Sequence, residues 1–251
     1  LNIVAGLEAK YSKGRHYKTI DDLMGANQWY DIDPFSDRDI NDLAEDVEMS
    51  AADVARVRLN DMDNLDENGN AKAVGKGDKF GYDYDIDVAR VSAFAHNAWD
   101  FNQIEFYYGL KFTYTDFFRT GRMANGRAWY LSQQLGQEVI SKGQGNMHHF
   151  YDPSVKAGIV YKFNGHHRIF ANVLAETRAP LTNTFYTSQR TTDRSIDDYQ
   201  INGKPIYAAA AKIFRTENPN LAGFALSEKV LSYDVNYIVT YPRVRGRLSL
   251  Y

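Results

Sequence analysis

Hydrophobic and polar residues alternate with a period of two along several stretches of this 251-residue chain. In the clearest stretch, Ile104–Thr115, six apolar side chains alternate with a largely polar set. Since successive side chains of a β-strand point to opposite faces, this pattern predicts strands with one apolar and one polar face. We predict about seven such strands, at residues 1–11, 82–95, 104–115, 154–163, 169–175, 231–241 and 243–250. The second changes phase midway, and we expect a β-bulge near Ala89-Arg90.

The connections between the predicted strands are alternately short and long. Three are short, and one of them contains Asn164-Gly165, a pair that tolerates the positive φ of a tight hairpin turn. Three are long, at about 12–81, 116–153 and 178–229, and Thr19–Asp22 and Ser50–Asp53 resemble capping boxes that begin short helices. An up-and-down antiparallel meander places its short turns at one end and its long loops at the other. Outer-membrane barrels have this asymmetry, so we predict an all-β chain that is part of a transmembrane β-barrel.

Composition supports an amphipathic sheet and argues against several classes of protein. Aromatic residues make up 14% of the chain although the mean hydropathy is -0.50, which suits a barrel whose rings settle at both lipid–water boundaries. The formal net charge of -3 gives no reason to expect a nucleic-acid partner. Cysteine is absent, and no uninterrupted apolar run approaches the ~20 residues of a membrane-spanning helix.

Four stretches that follow one another along the chain carry a family resemblance. They are Gly77–Tyr84, Phe106–Arg119, Glu176–Pro180 and Ser227–Val230. The chain resembles the barrels of TonB-dependent receptors, particularly the bacterial type with a carboxypeptidase-regulatory-like N-terminal domain. The resemblance implies a multi-pass β-barrel of the bacterial outer membrane for active uptake of a nutrient or chelate. Implied partners are outer-membrane lipid, a plug domain of the same parent chain, a TonB-type energy-coupling protein and a surface lipoprotein; no cofactor is implied.

The chain also departs from the pattern of such receptors. Within these 251 residues we recognise no plug, energy-coupling box or signal peptide, and seven predicted strands is an odd number where single-chain bacterial barrels have even counts. We therefore interpret residues 1–251 as a single partial β-barrel domain that contributes wall and extracellular loops. The alternative is a soluble extracellular β-sandwich that binds carbohydrate, because it would also explain the alternation and the tyrosine content.

No sequence motif indicates catalysis, so we do not expect an enzyme. A Gly-rich phosphate loop, a Gly-x-Ser-x-Gly elbow and a His-Glu-x-x-His motif are all missing. Five aromatic residues of the predicted loops are candidates to stack on a ligand, although they could equally pack the loops together. They are Trp129, Tyr130, Phe150, Phe185 and Tyr186.

Two groups of acidic and amide residues have a functional and a structural interpretation. Asn64–Gly69 matches the first half of a calcium loop, but Gly75 stands where the bidentate Glu belongs, which favours a polar turn. Asp83, Asp85 and Asp87 share one face of a strand. In a barrel lumen they would bind a cation or a substrate, or simply form a solvated polar face.

Arginine and histidine are clustered at three places. Arg243, Arg245 and Arg247 form a ladder beside a short turn, where they would either contact a plug or face a water-filled lumen. The pairs His148-His149 and His166-His167 point to opposite sides of an extended chain and therefore chelate a metal poorly. We predict no metal site at either pair.

Overall fold

The computed structural model describes an all-β architecture, an antiparallel up-and-down meander with short helices in its long connections. The described residues are 1–33, 36, 49–135, 140–145, 147–186, 200–201, 204–205 and 226–251. The strands are β1 Asn2–Thr19, β2 Trp29–Tyr30, β3 Ala73–Val74, β4 Lys79–Phe101, β5 Ile104–Arg122, β6 Lys142–Gln144, β7 His148–Lys162, β8 His167–Arg178, β9 Gln200–Ile201, β10 Lys204–Pro205, β11 Glu228–Thr240 and β12 Arg245–Leu250. The helices are α1 Ala51–Val57, α2 Gly126–Leu135 and α3 Thr182–Phe185.

Eight of these strands form one large sheet, and seven of them follow the order β1-β4-β5-β7-β8-β11-β12. The short strand β6 pairs with β5 outside this path, while β2–β3 and β9–β10 form separate two-stranded ribbons. Strands β1 and β12 lie at the two ends of the path, and the described residues do not close it into a barrel. The prediction of about seven antiparallel strands in meander order is confirmed.

All three short connections are tight turns at the same end of the sheet. Asn102 adopts a φ of 56° in the turn between β4 and β5. In the next turn the Asn164 side-chain oxygen accepts backbone N–H groups of His166 and His167 at 2.8 and 3.0 Å, which replaces strand hydrogen bonds that the turn interrupts. Tyr241 N–H donates to the Val244 carbonyl at 2.8 Å in the third. The long connections consequently lie at the other end.

Several strands run further than the apolar alternation predicted. Strand β1 continues to Thr19, β5 continues to Arg122, and β7 begins at His148. Backbone hydrogen bonds do not depend on side-chain polarity, so the ladder persists where charged residues replace apolar ones. The long connections are correspondingly shorter than predicted, at residues 20–78, 123–147 and 179–227.

The predicted β-bulge near Ala89-Arg90 is wrong. Both residues pair in continuous register with β1 and with β5. The phase changes in the sequence because one face of a regular strand carries aspartates first and apolar side chains from Ala89 onward. The register shift lies instead between Tyr17 and Lys18 of β1, where Gly81 of β4 adopts a φ of +78°.

One of the two predicted capping boxes begins a helix. Ser50 Oγ accepts the Asp53 N–H at 3.2 Å and caps α1. The helix predicted at Thr19–Asp22 is wrong, because Thr19 still belongs to β1 and Asp22 accepts the Met24 N–H at 2.6 Å. That local bond stabilises a turn in place of a helix.

Helices α1 and α2 pack together within the long-connection end of the molecule. Val57 is fully buried there beside Tyr130, and the Gly126 N–H donates to the Leu59 carbonyl at 2.9 Å. A Cβ atom on Gly126 would overlap the carbonyl oxygen of Arg56. Glycine at this position therefore permits the contact between the two helices.

We expect Gly126→Ala to separate α1 from α2, because the clash is with backbone and overpacking of this kind costs about 1–3 kcal/mol. Trypsin should then cut after Arg56 or Arg58 several-fold faster, as read by mass spectrometry of timed digests. Gly165→Ala is the matched control, since a Cβ there meets nothing within 4 Å. Equal cleavage rates for the two variants would contradict the assignment of Gly126 to this contact.

Candidate functional site

The large sheet has one apolar and one mainly polar face. We call the face that carries Leu110 the outer face and the face that carries Lys111 the inner face. One row of directly opposed outer-face residues is Ala95, Leu110, Val155, Ala175 and Leu231. The neighbouring inner-face row is Phe94, Lys111, Ser154, Glu176 and Val230. The alternation seen in single strands is thus aligned across five strands.

The apolar side chains of the outer face are uncovered. Phe106, Leu110 and Phe112 are 37%, 53% and 49% exposed, and Leu231 is 70% exposed. No second layer built from the described residues lies over them, since the buried apolar clusters belong to the long-connection end. The face therefore presents a continuous hydrophobic surface to its surroundings.

The height of this apolar band follows from strand geometry. On β4 it runs from Val91 to Phe101, interrupted by Asn97, and it ends at Val91 because the next outer-face row pairs Ala89 with Asp116 of β5. These ten residue steps cover roughly 33 Å along the strand at ~3.3 Å per residue. A strand tilt of ~40° would make the band ~25 Å tall, which is the height of the lipid-facing band in outer-membrane barrels.

Aromatic rings lie at both margins of the band. Near the tight turns, Trp99 stacks on Phe106 with ring centroids 5.6 Å apart. Toward the long connections, Tyr114 and Tyr151 are in contact at 5.3 Å. Aromatic rings therefore border the apolar band both toward the tight turns and toward the long connections.

Beyond the margin of the band that is nearer the long connections, the outer face carries a buried ionic cluster. Its acidic members are Asp83, Asp85 and Asp87, which are all at least 94% buried. Arg15 donates to Asp83 through Nε at 2.8 Å and Nη2 at 2.6 Å, and Lys79 adds a contact of 2.9 Å. Lys13 pairs with Asp87, and Arg122 with Asp85. Because β4 has no bulge, the aspartates share the outer face with Ala89 and do not face the inner side. Their burial also means that they do not form a solvated surface.

The bidentate geometry makes Arg15 the member whose loss should cost most. Arg15→Ala leaves the buried Asp83 carboxylate with Lys79 alone, so we expect at least twice the stability loss of Lys142→Ala. Lys142 and its partner Asp63 are each 53% exposed, which makes that pair the matched control. Urea unfolding midpoints in detergent micelles measure both. Equal midpoints would show that burial of Asp83 does not depend on Arg15.

Two of the predicted ligand-stacking residues are buried on the inner face near the long connections. Phe150 and Tyr186, each 9% exposed, pack with Ile86 against Phe117. The ring centroids of Phe117 and Phe150 are 5.5 Å apart. Little surface is left on these rings for a ligand, which favours the packing alternative. The side chain of Phe185, at the end of α3, lies outside the described part of the structure.

The other two candidates belong to a separate cluster around α1 and α2. Tyr130 is 3% exposed and packs on Val57, and burial raises the pKa of its phenol. Trp129 lies beneath the guanidinium of Arg56, which is 4.5 Å from the ring centroid. The structure therefore does not bring the predicted aromatic residues into one ligand site.

The polar turn at Asn64–Gly69 is held by a carboxylate. Asp66 Oδ1 accepts the backbone N–H groups of Asn68 and Asn70 at 2.9 and 2.8 Å. The hydrogen bond from the Asn70 backbone lowers the pKa of Asp66. This geometry is that of an Asx-type turn, in agreement with the structural interpretation of the segment.

A polar network crosses the inner face near the tight turns. Its members are Tyr107, Asn172, Asp234, Asn236, Arg247 and Ser249. Gly158 lies between Tyr107 and Asn172 in the row, and a Cβ there would block their hydrogen bond. Arg247 donates to Asn236 Oδ1 at 2.8 Å, while Arg243 precedes β12 in the turn. One residue of the predicted arginine ladder thus takes part in a cross-strand network.

The histidine pairs make aromatic and hydroxyl contacts. His148 lies beside Phe117 on the inner face, whereas His149 Nδ1 is 2.7 Å from the Tyr114 hydroxyl on the outer face. The rings of His166 and His167 both contact Tyr241. Within the described ranges, no group of three or more metal-ligating side chains is arranged to hold an ion.

The inner face also contains a cavity of about 370 Å³ that sequence reasoning missed. It lies where β4, β5, β7 and β8 approach the third long connection, and Asp152 and Thr115 are in its wall. Asp152 is 2% exposed, and neither of its oxygens has a hydrogen-bond partner among the described residues. No local pattern marks this residue, because it falls at the end of the second predicted loop.

No protein-family model, curated protein or solved structure matches this chain. No helix in the described residues is long and apolar enough to cross a membrane. The class of protein is therefore defined by the fold itself, an antiparallel all-β meander with an uncovered apolar face and a mainly polar opposite face.

Proposed function

We propose that this chain forms part of the wall and the extracellular loops of an outer-membrane β-barrel. The observation that carries the proposal is the uncovered apolar band of the outer face, which is ~25 Å tall at a ~40° strand tilt. Soluble monomers rarely expose contiguous apolar patches larger than a few hundred Å². Contact with lipid hydrocarbon in place of water removes the free-energy cost of exposing these apolar side chains.

A soluble carbohydrate-binding sandwich fits the sheet less well. In a sandwich, the apolar faces of two sheets pack ~10 Å apart and bury one another. Apart from the large sheet, the described strands form only ribbons of two-residue strands, and the outer-face residues Leu110 and Leu231 are more than half exposed. The apolar face has no protein layer of this kind in the described structure.

The receptor assignment rests on the sequence resemblance together with the asymmetry of the connections. Tight turns at one end and long, structured connections at the other are the arrangement of an outer-membrane barrel with periplasmic turns and extracellular loops. We therefore propose a TonB-dependent receptor for active uptake of a nutrient or chelate. A plug would occupy the polar inner side, a TonB-type protein would act on that plug, and a surface lipoprotein would associate with the loops. A catalytic role is not part of the proposal.

The first test exchanges polarity on the two faces. We expect Leu110→Arg in the full-length protein to reduce the folded yield in the outer membrane strongly, because a charge at mid-membrane costs ~2–4 kcal/mol. Lys111→Leu, one residue away on the inner face, should retain most of the yield. Heat-modifiable migration of outer-membrane fractions measures both variants. Equal yields would defeat the lipid assignment.

The second test measures whether the margin of the band near the tight turns is in contact with lipid. Trp99 is at that margin, whereas Trp29 and Trp129 belong to the long-connection end. In vesicles of brominated phospholipid, a variant that keeps only Trp99 should lose most of its fluorescence. A variant that keeps only Trp129 should lose little. Quenching of Trp129 alone would place the long connections in lipid and overturn the proposal.

A further inference from the structure

Asp152 is a buried carboxylate for which the described part of the chain supplies no donor. Its side chain projects from β7 on the inner face, directly opposite Thr113 of β5. Thr115 Oγ1, two residues along β5, is also buried and without a hydrogen bond among the described residues. Burial of an ionised carboxylate without donors is strongly unfavourable, so two adjacent groups here require a polar partner.

Among the described residues that line the cavity beside Asp152, three are acidic and three are basic. They are Asp152, Glu176, Glu228, Arg90, Lys111 and Arg178. Arg178 and Glu228 pair with each other at 2.7 Å, while Arg90 and Lys111 make no ion pair within the described ranges. The described lining residues therefore sum to no net charge, but they offer a buried carboxylate and exposed cations as separate groups.

We propose that this cavity binds a small zwitterion, an amino acid or a short peptide, with its ammonium group on Asp152 and its carboxylate on Lys111. Asp152 requires hydrogen-bond donors and a positive charge to compensate its own. An ammonium group supplies both, because it has three N–H donors and a positive charge. Lys111 is diagonal to Asp152 across β5 and β7, about 7–8 Å away between Cα atoms, and its long side chain is exposed. The volume lies within the range of small-molecule sites.

A neutral sugar fits this site less well. Its hydroxyl groups would donate to Asp152 but would leave the carboxylate charge uncompensated in a buried position. They would also leave Lys111 and Arg90 without an anionic partner. The separation of opposite charges within the described lining thus favours a ligand that carries both a positive and a negative charge.

The inference rests on the proposed receptor function, because it names the class of ligand that such a barrel would take up. Three probes test it by calorimetry on the full-length protein in detergent: tri-alanine, N-acetyl-tri-alanine and maltotriose. We expect saturable binding of tri-alanine and binding at least about 30-fold weaker for the acetylated peptide, which lacks the ammonium group. Failure of tri-alanine to bind, equal affinities for the two peptides, or preferential binding of maltotriose would each overturn the proposal.

The variant Asp152→Asn identifies the residue that holds the ammonium group. It should weaken tri-alanine binding about 30-fold or more, because the contact between the ammonium group and the carboxylate is lost. The already weak binding of N-acetyl-tri-alanine should not change, because that peptide has no ammonium group to lose the contact. Asp100→Asn is the matched control, an identical change near the tight turns, and should bind tri-alanine as the wild type does. Equal weakening of both peptides in Asp152→Asn would assign Asp152 a merely structural role.

The two proposals fail in different ways. If the full-length protein inserts in the outer membrane but does not distinguish the two peptides, the ligand inference is wrong and the barrel assignment stands. If brominated lipid fails to quench Trp99, the barrel assignment is wrong whatever the calorimetry shows. The comparison of the two peptides on wild-type protein requires no variant, so it holds even if Asp152→Asn does not fold.

Discussion

The strict two-residue period of the strand is the constraint on which this structure depends. Register across the sheet aligns the apolar positions, so that Leu110 lies opposite Val155 and Ala95. A slip of one residue would exchange Leu110 with Lys111 and place charge on the apolar face. Lateral pairing on both sides satisfies the backbone hydrogen bonds of the interior strands β4, β5, β7, β8 and β11 without help from the medium at either face, so one face can meet hydrocarbon while the other meets water.

The sheet changes its side-chain chemistry along the strands while its backbone pairing continues. Outer-face residues are apolar through the middle of β4 and become buried aspartates toward the long connections. Arg15 compensates Asp83 there through two hydrogen bonds. In the proposed barrel, a cluster of this kind would be poorly placed in hydrocarbon but well placed where the strands leave it, because head groups and water would solvate the outer parts of Arg15 and Lys13. The position of the ionic cluster thus agrees with the height of the apolar band.

Alternation was sufficient to predict the seven strands of the meander and their order, because an amphipathic sheet repeats the same pattern in each strand. It did not indicate the short strand β6 or the two-residue strands of the separate ribbons. It failed where the apolar residues change from one face of a regular strand to the other, as at Ala89-Arg90. A β-bulge and such a change of face both shift the phase of the alternation, so the sequence does not distinguish them. It also ended strands too early, because it follows side chains whereas the ladder follows the backbone. The aromatic residues Phe150 and Tyr186 come together only through the register of β5 with β7 and the path of the third connection, which no local pattern contains.

Asp152 could not be identified from a local sequence pattern either, since its importance depends on residues that the fold brings around it. Its neighbours Thr113 and Thr115 belong to another strand, and the cavity is completed by residues that follow β8. A carboxylate retained there serves either as a partner for another part of the fold or as a partner for a ligand. In the described lining of the cavity, Arg178 and Glu228 compensate each other's charge by direct contact. Among the described residues, Asp152 has no hydrogen-bond donor and Lys111 has no ion pair. Under the proposal above, a zwitterion bound between them would compensate both charges.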